Sequence, residues 1–266
     1  MTEHPLLLND EMVRALQSGR KTQTRRPMKP QPERRDCGDM EYWPDEDFWA
    51  WSQPVATVRG RVWERGDHFY KSPFGKPGDQ LWIREAFAVE SNYGVHMDPP
   101  PHNDGRPVRR GSDEDQGDWW EQCHYRATDA EPELDSDDAD GFDPKCKWTP
   151  SIHMPRWASR FSVTVKRVWC ERVKRASHED MIAEGIDLCN SSVAWIVQQR
   201  FANLWDGIYA KPKRVPAKGP ISHYASSPWE DVRDTREHKG KPWHVNGNPW
   251  VWACEWEPLS IERTEQ

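Results

Sequence analysis

The sequence predicts an α+β protein, and three observations carry that prediction. Apolar residues recur at helical spacing in three stretches: between an Asn9 or Asp10 cap and Gly19, between Ser177 and Gly185, and over about 191–209. Several intervening stretches alternate or run apolar over strand lengths, and the closing segment Trp250-Val251-Trp252-Ala253-Cys254-Glu255-Trp256 does so too. The composition allows a folded core of unusual make-up. Leu, Ile, Val and Phe together number only 41 of 266 residues, below the roughly 20% that accompanies disorder in highly charged chains. Net charge is only −7 and there are 17 tryptophans, so large aromatic bodies replace aliphatics.

Each element has a local reason. Asn9 or Asp10 caps a first helix that turns Met12, Val13 and Leu16 to one side and stops at Gly19. Lys21–Arg26 is predicted extended, because a residue preceding proline, here Pro27, is biased away from helix. Strands are expected at Pro54–Trp63, at Gln80–Val89 after the Gly78-Asp79 turn, at His124–Thr128 and at Ser159–Val173. Ser177 opens a short helix through a Ser-x-x-Asp pattern, with Met181 and Ile182 inward and Gly185 at its end. A longer helix over 191–209 carries Val193, Ile196, Val197, Phe201, Leu204, Trp205 and Ile208 at helical spacing, with Trp195 off that stripe. Three polar stretches, 91–120, 129–147 and 211–247, read as long insertions in a single domain, held to the core by their tryptophans.

Composition also removes function classes. No stretch approaches the roughly 18–20 apolar residues of a membrane span. The N-terminus lacks the basic-then-apolar order of a secretory signal, so a cytoplasmic protein is expected. Six scattered cysteines are then reduced thiols. Cys37, Cys123, His124, Cys146 and His153 have no paired ligand spacing, and neither metal nor cofactor is expected. Charge is segregated. Seven Lys/Arg and one acid lie between Arg20 and Arg35, a second basic run reads KRVWCERVKR from Lys166, and eight acids without a base lie between Asp129 and Asp143. Basic patches of this kind point to a polyanionic partner.

The run Gly19-Arg20-Lys21-Thr22-Gln23-Thr24-Arg25-Arg26, placed directly after an N-terminal helix, resembles the signature of ASCH domains in the PUA-like superfamily. The matching positions are Gly19, Lys21, Thr24 and Arg26. Three further blocks resemble the larger ASCH proteins of phages and prophages: 77–85 (PGDQLWIRE), 150–160 (PSIHMPRWASR) and 183–186 (AEGI). The resemblance covers about half the chain. It implies a small PUA-like β-barrel with flanking helices.

It also implies two kinds of function. One is recognition of RNA, or of a modified nucleobase or nucleotide, in a basic cleft edged by aromatic residues, with DNA as another possible polymer. The residues expected there are Arg20, Arg25, Arg26, Trp82, Arg84, His153, Arg156, Trp157 and Arg160, which combine phosphate-binding cations with stacking faces. The other is an amidohydrolase acting on N4-acetylcytidine-like nucleosides through Lys21, Thr24 and Glu184. A desolvated Lys21 takes the proton of a Thr24 nucleophile, and Glu184 passes one to the leaving amine. Lys21 and Thr24 are three apart and face opposite ways in a regular strand, so this reading requires a bend. A third reading, a protein–protein adaptor, rests on the acidic 129–143 run.

Overall fold

The structure is a computed structural model, and it describes residues 1–29, 40–43, 48–57, 60–93, 100, 104–114, 117–130, 148–188, 193–209, 235–238, 241–244 and 249–259. Along the chain the elements are β1 (Glu3–Leu7), α1 (Asp10–Gln17), β2 (Gln23–Pro27), β3 (Met40–Trp43), β4 (Phe48–Thr57), β5 (Gly60–Tyr70), β6 (Gln80–Arg84), β7 (Phe87–Tyr93), β8 (Val108–Asp113), β9 (Gly117–Tyr125), β10 (Ser162–Arg172), α2 (His178–Ala183), α3 (Ala194–Tyr209), β11 (Thr235–His238), β12 (Lys241–His244) and β13 (Trp250–Trp256). This is an α+β chain, mostly sheet with few helices. No closed barrel is found among the described residues.

The chain forms two compact units. The first comprises Met1–Gly19, Gly78–Val165 and Glu257–Gln266; the second comprises Arg20–Pro77 and Lys166–Trp256. In the first, β6 pairs in parallel with β1 and antiparallel with the start of β10. Helix α1 begins as its sequence dictates: the Asn9 side chain accepts a hydrogen bond from Met12 N at 2.8 Å, and Met12, Val13, Ala15 and Leu16 are buried. Gly19, at φ 73°, takes the left-handed turn that ends it.

The expected strand Gln80–Val89 is in fact two. It breaks at Glu85–Ala86, where the Glu85 side chain enters the interior, and Phe87 then begins a separate sheet ordered β7-β9-β8. That sheet occupies much of 91–120, the stretch expected to be a loop. In β8 the exposed positions are Arg109, Arg110, Ser112 and Asp113, with Gly111 between them, which hides the alternation. Tyr125 ends β9, so the strand expected at His124–Thr128 lies mostly before that range and gives way to a turn.

Gly111 stands opposite Trp119 in the β8–β9 register, and a Cβ there would fall within the Trp119 indole. Gly111→Ala is therefore expected to displace the ring and cost about 1–3 kcal/mol, read as a lowered Tm. An unchanged Tm would show that the indole has room to move.

In the second unit β13 pairs antiparallel with β2, from Val251↔Pro27 to Glu255↔Gln23, and lies next to the later part of β10. Strands β3, β4 and β5 form a meander, so the segment expected as one strand at Pro54–Trp63 is two strands closing on each other at Thr57↔Gly60. The capping box of α2 is complete, with Ser177 Oγ accepting from Asp180 N at 3.1 Å and Asp180 Oδ2 accepting from Ser177 N at 2.9 Å. Val197, Phe201 and Trp205 of α3 pack with Met181, Val173 and Val251.

The ends of the expected stripe differ: Val193, just before α3, and Ile208 are exposed, whereas Trp195 is exposed as its place off the stripe predicts. Trp49 is buried edge-on against Trp252, with ring centres 5.6 Å apart, and in the first unit Trp120 is buried on β9. These two tryptophans are strand residues of the core. Strands β11 and β12 pair within 211–247. The rest of that stretch, and 131–147 with most of the acidic run, lie outside the described residues, as do Cys37 and Cys146.

Candidate functional site

Lys21 and Glu184, 163 positions apart, meet in the second unit. They form an isolated antiparallel bridge at the C-terminal end of α2, where Thr22 N donates to Ala183 O at 2.9 Å and Trp256 N donates to Thr22 O at 3.0 Å. The Lys21 ammonium donates to Gln23 O at 2.7 Å, Glu184 O at 2.9 Å and Glu184 Oε2 at 3.2 Å. These three acceptors match its three protons. Lys21 is 2% exposed and Glu184 5%. Burial pulls the lysine below its ordinary value, against the attraction of the Glu184 carboxylate.

Arg25 is the hub of the same cluster. Its Nε donates to Glu171 Oε1 at 2.8 Å, and its NH1 donates to Gln23 Oε1 at 3.0 Å and to Glu184 Oε1 at 3.3 Å. Its NH2 lies 3.3 Å from Asp180 Oδ1 as an ion pair without an aligned hydrogen bond. Burial alone would lower this guanidinium, but Glu184, Glu171 and Asp180 outweigh it and raise it. Asp180 is held below its ordinary value despite burial, by the Ser177 N–H and by Arg25.

The geometry follows from strand periodicity. Lys21, Gln23 and Arg25 are spaced by two and share a side of the chain, whereas Thr24 has the opposite parity. Thr24 is buried opposite Cys254, and no hydrogen bond joins its hydroxyl to Lys21 or Glu184. The bend that would bring Thr24 to Lys21 is absent: the described chain is a strand from Gln23 onward.

The other expected ligand contacts divide by burial. Arg20 is exposed and Arg26 half-buried in the second unit. In the first unit two guanidiniums lie over the Trp82 ring, Arg84 at 5.3 Å and Arg156 at 5.8 Å, with His153 exposed on the neighbouring turn. Arg84 also donates to Ile152 O, and Arg156 makes a two-pronged pair with Glu3, both bonds at 2.8 Å. Arg160 and Trp157 have interior roles. Arg160 binds Glu85 through two bonds of 2.9 Å and covers Tyr125 at 4.0 Å, and Trp157 packs on the Phe87–Tyr125 cluster. Arg25, likewise, is committed to internal carboxylates.

Gln23 and Glu171 were not singled out from sequence, and Asp180 was read only as part of the Ser-x-x-Asp helix cap. Two signals were available for them: the two-residue spacing from Lys21 through Gln23 to Arg25, and Glu171 as the lone acid in a basic run. Among the described residues no group of three His, Cys, Asp or Glu is placed to hold a metal, and no helix is long and apolar enough to cross a membrane. Compared with protein-family models, with curated proteins and with solved structures, the chain matches none.

Proposed function

We propose that the protein recognises RNA or a modified nucleobase or nucleotide, and that the base is read at the Lys21–Glu184–Arg25 centre of an ASCH-type, PUA-like fold. The observation that carries this reading is the Lys21–Glu184 contact. Two residues singled out by motif resemblance, 163 positions apart in the chain, form one buried bridge. A cation, a carboxylate, an amide and a guanidinium meet in one dry cluster, and a base edge would bind there by taking over part of their internal pairing. Arg20 and Arg26, on either side of the buried Lys21–Arg25 side, suit the sugar-phosphate part of such a ligand. The Arg–Trp82–Arg stack in the first unit suits an unpaired base.

Calorimetric titration with cytidine, N4-acetylcytidine and a single-stranded RNA tests the reading. Binding is expected, with RNA affinity falling as salt rises. Absence of binding to all three, or RNA affinity that does not respond to salt, removes it.

The same contact favours a second reading, amide hydrolysis, in which water converts N4-acetylcytidine to cytidine and acetate. Its weak point is Thr24, so Thr24→Val is the informative variant. If Thr24 is the nucleophile, the variant loses at least about 100-fold in rate while still binding cytidine. Undiminished hydrolysis excludes Thr24 as nucleophile, and no hydrolysis by the unaltered protein excludes the reaction.

A further inference from the structure

Strand β8 ends its sheet. In the order β7-β9-β8 it pairs with β9 on one side, and among the described residues no strand pairs with the other. The outer N–H and C=O groups of such an edge are a template for a further strand, and edges are ordinarily blunted against it. Strand β1 shows the blunting. Leu8 N donates to Arg84 O and Thr2 O accepts from Gln80 N, so its even-numbered residues bond β6 and Pro5 stands on the free side with no N–H to give.

Strand β8 has no proline, and its glycine is braced. The Trp119 indole fills the place of a Cβ at Gly111, and the Arg109 guanidinium lies 5.4 Å from the centre of that ring. An aromatic ring over a strand glycine supplies the packing that glycine lacks, so the edge is held extended.

Charge decides which strand fits this edge. Arg109 and Arg110 precede Gly111, Asp113 and Glu114 follow Ser112, and all four charged side chains are exposed. A second copy running antiparallel meets that order reversed. Two-fold symmetry requires one residue of such a pair to lie opposite itself. Centred on Gly111, the pairing sets Arg109 opposite Asp113 and Arg110 diagonal to Glu114, twice over. The acids of β9 are further back. Glu121, whose Oε2 is 3.6 Å from Arg109 NH1, and Asp118, opposite Ser112, belong to the next strand inward. Two strand spacings place them about 10 Å from the incoming chain, near the screening length, so the charges of β8 itself set the partner.

We propose that β8 is a self-complementary edge through which two copies of this chain pair antiparallel about Gly111, joining their three-stranded sheets into one. The proposal stands apart from the nucleobase reading, whose centre lies in the other unit.

Sedimentation equilibrium of the full chain tests it. A strand-to-strand contact is smaller than a standard interface, so a dissociation constant of about 10–100 μM is expected. Arg109→Glu with Arg110→Glu should weaken the dimer at least about tenfold, as should Asp113→Lys with Glu114→Lys, because each sets like charges together. The two variants mixed should associate with each other at least as tightly as the parent does with itself. Hydrogen exchange on the unaltered chain gives a reading that depends on no variant: on passing from low to high concentration, amides of 108–113 should gain protection and those of β1 should not.

A chain that stays monomeric well above that concentration range overturns the proposal. So does a dimer that both charge reversals leave intact, or one whose gained protection lies outside β8.

Discussion

Replacing Glu184 by leucine is expected to lower stability by about 3–5 kcal/mol, because Lys21 is then a buried ammonium facing only carbonyls. The urea midpoint of unfolding reports it. Three features make this one of the largest effects in the chain: both partners are almost fully buried, Arg25 loses one of its carboxylates as well, and the contact ties residue 21 to residue 184.

The double variant Lys21→Met, Glu184→Leu should recover part of the loss, since neither charge of the pair is then stranded. The pH dependence has a definite sign. Burial lowers Lys21, and losing Glu184 lowers it further, so the folded variant releases the proton well before the unfolded chain does near 10.5. In that interval the unfolded chain binds more protons, and stability rises with pH. The Glu184→Leu deficit should therefore shrink on the alkaline side. A variant within about 1 kcal/mol of the parent would mean that the pair contributes little beyond an apolar contact.

The second large effect is expected in the other unit, at Arg160→Met. Glu85 is 1% exposed and its carboxylate is held by the two-pronged Arg160 pair. Burial raises the Glu85 carboxyl above its ordinary value even with Arg160 present. Without the guanidinium it rises further, and at pH 8 the loss is expected to reach about 3–5 kcal/mol.

A carboxyl raised on folding weakens the fold fully above its folded value and not at all below its ordinary value of 4.5. The Arg160→Met deficit should thus contract as pH falls toward 5, while the parent changes less. Thermal unfolding at pH 8 and pH 5 separates the outcomes. An equal deficit at both values would assign the loss to the stacking of Arg160 on Tyr125 and Phe161 rather than to charge.

Much of the local structure was legible residue by residue. Asn9 and Ser177 announce their helices because a short polar side chain before an apolar run has one job there, to accept the first free N–H groups. The closing strand was readable because its tryptophans alternate, and its boundaries agree with the structure. Strand β1 was not, because its pairing is parallel to a segment beginning at Gln80, and nothing within Glu3–Leu7 signals that partner. Strand β8 was missed because VRRGSD carries charge and glycine where a half-buried strand ordinarily shows β-branched residues.

At the candidate site, resemblance singled out Lys21 and Glu184. The parity of the strand then separates Thr24 from them and brings in Arg25 and Gln23. Seen as sequence, Arg25, Arg26, Arg156 and Arg160 are equivalent cations in basic stretches. Folding distinguishes them: Arg25 is buried among three carboxylates and Arg160 is held against the buried Glu85, whereas Arg26 is half-buried and Arg156 exposed.

The sequence by itself determined where the helices start and stop, which segments alternate, and that tryptophan supplies core volume, because these depend on neighbours within a few residues. The tertiary structure alone decided which charges are buried, which donors are left over and which residues share the centre. Burial and pairing are set by groups brought together from distant parts of the chain, and no local pattern encodes that distance.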